Sequence, residues 1–323
     1  MVAMNMNPPH ATLLADTPDN IRRAARFLRA GELVAFPTET VYGLGADATN
    51  DDAVARIYEA KGRPTFNPLI IHLPDIQAAA KVVRFDARAE QTAQAFWPGA
   101  LTMVLPRCPG CSVSLLASAG LETLAVRIPN HSLAHTLLEE TRVPVAAPSA
   151  NRSGTVSPTS AAHVLEDLDH VIAAVLDGGP CTIGLESTVI DLTDDTPTIL
   201  RQGGIPQEDL EEVLGPIRIA GVDDNAPKSP GMLSRHYAPS IPMRLNAQDI
   251  QFGETLLAFG PDAPQNALNL SSNGNLTEAA ANLFSMIRLL DDPIFSAIAV
   301  SPIPETGLGR AINDRLRRAA EVT

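Results

Sequence analysis

Apolar Ile21, Ala24, Ala25 and Leu28 recur at helical spacing, with Pro18 suited to a first turn and Gly31 to a stop. The pattern predicts a helix over 19–30. An apolar run at 33–36 predicts a strand that leads into Pro37-Thr38-Glu39-Thr40-Val41-Tyr42-Gly43-Leu44-Gly45, read as a loop with two flexible glycines. A second helix starts at Asp51-Asp52, whose carboxylates suit a helix N-terminus, and ends at Gly62 ahead of Pro64. Apolar runs predict strands at 69–73, 101–105, 124–128, 143–147, 173–176, 187–192 and 198–200, with helical stretches at 86–96, 131–141 and 160–168. Strands alternating with helices give an α/β class. The strands at 187–192 and 198–200 stand too close for a helical crossover, so the sheet is mixed rather than purely parallel.

At 221–242 the texture changes to GVDDNAPKSPGMLSRHYAPSIP, rich in Pro, Gly, Ser and Asp and without an apolar period, as in a linker. Beyond it, a strand at 256–259, a helix at 277–290, a strand at 297–300 and a helix at 308–320 form a second, small α/β unit. The chain divides into a disordered tail (1–11), a main domain (12–215), a linker (216–242) and a C-terminal domain (243–323).

The length of 323 residues accommodates these two domains, and with 4% aromatic residues the core rests on Ala, Val, Leu and Ile. The balance of 24 basic against 37 acidic residues gives −13, which argues against nucleic-acid binding by bulk electrostatics. Only three of the basic residues are Lys (61, 81 and 228), so a Lys inside a motif reads as a chemical choice. Cys108 and Cys111 have CxxC spacing, but no second pair or nearby His pair completes a zinc set, and a Pro-Gly turn carrying thiols accounts for them. The odd cysteine count and the lack of a secretory signal point to a reducing, cytoplasmic setting. No apolar run approaches the roughly 18–20 residues that span a membrane.

Four polar constellations lie at predicted strand ends, where open α/β sheets bind ligands. Thr38, Glu39 and Thr40 offer hydroxyls and a carboxylate; a capped turn explains them equally well. Lys61-Gly62-Arg63-Pro64, leading through Asn67 to His72, places two cations in a rigid corner where a helix ends. There Arg suits bidentate phosphate or carboxylate contact, and Lys a point charge that follows a reacting group. Arg127 interrupts an apolar strand and requires an anion, from the protein or from a ligand. Ser149, Asn151 and Ser157 follow a strand among small residues and supply neutral hydrogen bonds. Glu186-Ser187-Thr188 and Arg201 add a hydroxyl pair and another strand-end cation. The chain contains no GxxxxGK[ST] loop, no GxSxG elbow and no HExxH.

Taken in order, PTETVYGLG, KGRPxxNPL…H, AVRIP, PSAN with SGTVSPT, and ESTVID with a downstream LRxG resemble the YrdC-domain threonylcarbamoyl-AMP synthases over about residues 12–215. The SPGMLSRHYAP linker and the second domain resemble the long, two-domain branch of that family. The resemblance implies a YrdC-like domain, a twisted mixed sheet with flanking helices, followed by a smaller α/β Rossmann-like domain. It implies synthesis of L-threonylcarbamoyladenylate from L-threonine, bicarbonate or CO2, and ATP, with release of pyrophosphate. A downstream transferase then uses the product to form N6-threonylcarbamoyladenosine next to the anticodon of tRNAs reading ANN codons.

Carried onto this chain, the resemblance puts threonine near Thr40, His72, Arg127, Ala147 and Ser187, and ATP near Arg63, Asn67, Thr123, Ser149, Ser157, Arg201 and Tyr237. Lys61, Arg63, Ser149 and Asn151 form the polar centre at the reacting groups. Mg2+ arrives with ATP, since no carboxylate cluster reads as a metal cage. The linker is expected to act as a lid that excludes water. The alternative from another class is an RNA-binding YrdC-like module without adenylate synthesis.

Overall fold

The computed structural model describes residues 10–221 and 236–321. Helix α1 (Pro18–Arg29) follows strand β1 (Thr12–Ala15) and begins where the Thr17 side chain accepts a bond from the Asn20 N–H. Its buried stripe is Ile21, Ala24, Ala25 and Leu28, as the spacing predicts. After β2 (Val34–Phe36) and β3 (Gly43–Asp47) comes α2 (Asp51–Lys61), capped by Asn50 and stopped by Gly62 in the left-handed conformation. Next are β4 (Ile70–His72), α3 (Ile76–Ala79), α4 (Ala87–Phe96), β5 (Leu101–Pro106), β6 (Thr123–Arg127), α5 (Ser132–Thr141) and β7 (Val145–Ala146). The domain closes with α6 (Ala161–Leu168), β8 (Ala174–Asp177), β9 (Thr188–Asp191), β10 (Thr198–Arg201), α7 (Gln207–Leu214) and β11 (Arg218–Ile219).

These strands form one mixed sheet in the order β1-β8-β2-β3-β7-β4-β6-β5-β9-β10-β11. Alternation along β2 sends Val34 and Phe36 toward α1 and α5, while Ala35 joins the opposite core with α2, α4 and α6. The expected mixed α/β sheet with flanking helices is therefore present.

Three local expectations need correction. The segment read as a flexible loop ends in the first residues of β3, which pairs antiparallel with β2 and with β7 in the interior of the sheet. Gly45 is there because space is short: a Cβ would lie 2.9 Å from Phe36 Cε1 and 3.1 Å from the Val34 carbonyl oxygen. At the chain start, the Ala11 N–H donates to the Asp169 carbonyl at 2.8 Å, so the tail read as disordered is tied down by residue 11, while 1–9 lie outside the described residues. Ile219 pairs with Ile199, which puts the start of the predicted linker on the edge of the main sheet. Residues 222–235 of that linker also lie outside the described residues.

The C-terminal domain holds β12 (Met243–Arg244), β13 (Glu254–Ala258), β14 (Leu268–Asn269), α8 (Leu276–Leu290), β15 (Ala297–Val300) and α9 (Leu308–Ala320). Its strands are all parallel, in the order β12-β15-β13-β14. Its core also takes in Val41, Val156 and Leu185 from the main domain. Gly184, at φ 72°, rests against α8 so closely that a Cβ would meet the Ala280 carbonyl oxygen at 2.5 Å. Arg288 of α8 donates to the Val156 carbonyl at 2.6 Å and to Asp167 at 2.7 Å, tying α8 to the segment carrying Ser157.

Candidate active site

Strand ends β4, β6 and β10 and the loops after β2 and β7 converge on a cavity. Its water-accessible volume is about 40 Å3, room for roughly three waters. Nine of the predicted residues line it: Thr40, Arg63, His72, Arg127, Ala147, Ser149, Ser187, Arg201 and Tyr237. The parallel pairing of β4 with β6 sets His72 beside Arg127. The Ser149 loop is held to β3 by bonds from the Leu44 N–H to the Pro148 carbonyl and from the Ala150 N–H to the Tyr42 carbonyl.

Arg127 has its anion within the protein. Its Nη2 lies 2.7 Å from Glu39 Oε1, both side chains buried, at an angle too poor for a hydrogen bond. Nη1 donates to Thr40 Oγ1 at 2.8 Å and Nε to the Gly99 carbonyl at 3.2 Å. Thr38 Oγ1 contacts Thr40 Oγ1 at 2.8 Å, which extends the chain of hydroxyls. The Glu39 pairing is the protein-anion branch of the expectation for Arg127. It was not visible in the motif because the partners are far apart in sequence.

His72 is neutral. Burial, followed by repulsion from Arg127, draws its pKa down to about 3. Nδ1 lies 3.3 Å from the Ile70 carbonyl, an arrangement that makes Nδ1–H the donor and leaves Nε2 an acceptor.

The remaining wall is cationic. Arg63 donates through Nε to the Asn67 carbonyl at 3.3 Å and through Nη2 to the Pro68 carbonyl at 3.0 Å, which shapes its own loop. Burial pulls its pKa down to about 10, with Arg201 adding repulsion and Tyr58 opposing the shift. Arg201 donates to the Ser187 carbonyl from Nε at 3.1 Å and Nη2 at 2.9 Å, and from Nη2 to Ser187 Oγ at 3.1 Å. Among the described residues neither Arg63 nor Arg201 has a carboxylate in ion-pair contact, and both line the cavity, with Glu186 acting on Arg201 only at longer range.

Five predicted residues are not part of this lining. Lys61 Nζ donates to the Ser149 carbonyl at 2.6 Å and the Asn151 carbonyl at 2.5 Å. Burial first, and Arg63 second, hold its pKa well below the usual Lys value. The expectation of a movable charge gives way here to an amine fixed between two backbone oxygens. Asn151 Nδ2 closes its own loop on the Arg152 and Thr155 carbonyls, both at 2.9 Å. Ser157 donates to Glu186 Oε1 at 2.6 Å. Asn67 is buried beside Arg63, and Thr123 sits at the start of β6 opposite Pro106.

Thr38 and Glu186, singled out in the sequence but given no ligand there, also line the cavity, and so does His236, which has no predicted role of its own. His236 and Tyr237 arrive from the linker side. Tyr237 holds φ 66°, a costly conformation for a bulky residue, and its ring stacks on Phe284 with centroids 5.5 Å apart. The carboxylates at the site are spoken for: Glu39 by Arg127, and Glu186 by Arg315 at 2.7 Å. A triplet with metal-ligand spacing, His10, Asp169 and His170, lies outside this lining. Among the described residues, no helix is long and apolar enough to cross a membrane.

A family model for the Sua5/YciO/YrdC domain, described as telomere recombination, matches residues 26–203. A second, described as threonylcarbamoyl-AMP synthase, C-terminal domain, matches residues 205–321. The threonylcarbamoyl-AMP synthase of Bacillus subtilis (strain 168) is 43% identical over 95% of this chain and 94% of its own length. The Pyrococcus abyssi protein of the same name is 43% identical over 93% of this chain and 94% of its own. A crystal structure of P. abyssi Sua5 complexed with L-threonine superposes with a TM-score of 0.89 at 41% identity, covering 96% of this chain and 97% of that one.

Proposed function

Because the chain belongs to the threonylcarbamoyl-AMP synthase family in its two-domain form, we propose that its cavity joins threonine, CO2 or bicarbonate, and ATP. The protein is an enzyme of this type, a transferase that acts on L-threonine to make threonylcarbamoyl-AMP. The observation that carries the reading of the site is the gathering of Arg63, Arg127 and Arg201 with the hydroxyls of Thr40, Ser149 and Ser187 in one cavity. Three buried guanidiniums with neutral donors and acceptors between them suit a polyanion next to a small zwitterion.

In this reading threonine lies against Thr40, His72, Arg127, Ala147 and Ser187. Arg127 meets its carboxylate through N–H groups not used by Thr40, Gly99 and Glu39. Neutral His72 accepts a hydrogen bond through Nε2, so it adds no positive charge beside Arg127. The amine loses a proton and forms a C–N bond to CO2, giving a carbamate. A carbamate oxygen then attacks the α-phosphorus of ATP, the bond to the bridging oxygen breaks, and pyrophosphate leaves with the electron pair. Arg63 and Arg201 hold the phosphates, while Lys61 and Asn151 keep the Ser149 loop in place for them. The protein contributes position and fixed charge and needs no covalent nucleophile.

Mg2+ fits this donor set only as a companion of the triphosphate, because Glu39 and Glu186 are both paired with arginines. It would supply charge neutralisation on the phosphates. The expected linker lid concerns 222–235, outside the described residues; His236 and Tyr237 are the described part of that neighbourhood. A cytoplasmic location and a transferase that passes the product to tRNA complete the proposal.

The test supplies 13C-bicarbonate with threonine and ATP and weighs the nucleotide product. A threonylcarbamoyl-adenylate carrying one 13C is expected. An adenylate of unlabelled threonine alone would reject the carbamate route.

A further inference from the structure

Arg315 lies in the apolar stripe of α9 with Ala311, Ile312, Leu316 and Ala319, a core position for which a guanidinium is a poor choice. It is completely buried. Nε donates to Glu186 Oε2 at 2.7 Å, Nη1 to Asp314 Oδ2 at 2.6 Å, and Nη2 to the Gln202 carbonyl at 2.8 Å. Its Cζ stands 4.9 Å from the centre of the Tyr237 ring. The C-terminal domain thus inserts one cation directly behind the nucleotide wall of the main domain.

Glu186 receives it. Its other oxygen accepts from Ser157 Oγ, and both Glu186 and Arg201 line the cavity. Arg201 donates to Ser187, the very next residue after Glu186, yet makes no ion pair with that carboxylate. Burial opposes ionisation of Glu186, but Arg315 and then Arg201 outweigh it and bring its pKa down to about 2. The carboxylate is therefore charged and needs a cation wherever it can find one.

We propose that Arg315 is a positioning residue for nucleotide binding: by taking the Glu186 carboxylate, it keeps Arg201 from being neutralised and leaves that charge to the phosphates. Arg315 itself touches no substrate. The C-terminal domain then has a task at the active site, which is to maintain the cationic character of the wall. This rests on the nucleotide reading of Arg201 given above.

The experiment uses the full chain as wild type, R315M, R315K and the double variant R315M/E186Q, with ATP affinity by equilibrium dialysis and steady-state KM and kcat for ATP. In R315M the unpaired Glu186 turns to Arg201, and KM and Kd for ATP rise roughly tenfold while kcat at saturating ATP holds within about threefold. In the double variant the competing charge is gone, and ATP affinity returns most of the way. R315K, which keeps a cation, falls between wild type and R315M.

A purely structural role predicts the reverse for the double variant, since Gln does not refill the space Arg occupied. Wild-type ATP affinity in R315M, or a double variant as weak as R315M, overturns the proposal. If R315M does not fold, by circular dichroism, the double variant and R315K decide: near-normal ATP affinity in the double variant supports the proposal, and tenfold-weakened affinity rejects it. A wild-type chain that fails to bind ATP rejects the function and this inference together. Wild-type binding with no effect of R315M rejects this inference alone.

Discussion

His72 and Arg127 are register partners on the parallel strands β4 and β6, which sets a neutral imidazole beside a buried guanidinium. The arrangement couples stability to pH. His72 titrates near 6.5 when unfolded and near 3 when folded. Between those values the unfolded chain binds a proton that the folded chain refuses, so this contribution to stability is intact above 6.5 and drains as pH falls toward 3. Each pH unit costs about 1.4 kcal/mol. Between pH 6.5 and 5 the wild type should lose about 2 kcal/mol more than H72Q. Denaturant melts at both pH values measure this, and equal losses would refute the neutral, buried histidine.

Lys61 gives a second prediction. Its Nζ satisfies two buried carbonyls, so K61M should leave both unpaired, lower stability by about 1–3 kcal/mol and depress pyrophosphate release by more than tenfold. The same variant separates this account from a freely moving charge: only a loop anchor predicts that the melting temperature and the rate fall together. Unchanged melting with lost activity would return Lys61 to the reacting groups.

The elements with local signals were legible in the sequence. Helix α1 follows from its apolar spacing, and its stop falls at Ala30 beside Gly31. Arg127 betrayed itself as a cation in an apolar strand, and the paired motifs located nine of the cavity's residues. What stayed hidden depends on distant partners. Glu39 is 88 positions from Arg127, and Glu186 meets Arg315 across 129 positions. Gly43 and Gly45 read as flexible loop glycines because sequence shows a missing side chain but not the neighbours that crowd it, Ala147 at Gly43 and the Phe36 ring at Gly45. Arg315 did carry a signal, a cation on the buried face of an amphipathic helix.

Gly45 tests that correction. A loop glycine at ordinary φ tolerates alanine, whereas a Cβ at 2.9 Å from Phe36 and 3.1 Å from Val145 Cγ1 forces the sheet apart. G45A should destabilise the chain by about 1–3 kcal/mol. A melting curve that superposes on wild type would restore the loop reading.

The Glu39–Arg127 pair makes a further claim. Removing one partner strands a buried charge, so E39A should cost about 3–5 kcal/mol. E39Q, which keeps the shape, should cost less and should raise the KM for threonine more than that for ATP. A larger rise for ATP would place Arg127 on the nucleotide side of the cavity.

The most direct test is an omission series that follows pyrophosphate release by the intact chain. ATP, Mg2+, bicarbonate and each amino acid are supplied together and then withheld in turn. Pyrophosphate should form only when threonine and bicarbonate are both present. Release that persists without either one, or that proceeds equally with other amino acids, would contradict the assignment of this cavity to threonylcarbamoyl-adenylate synthesis.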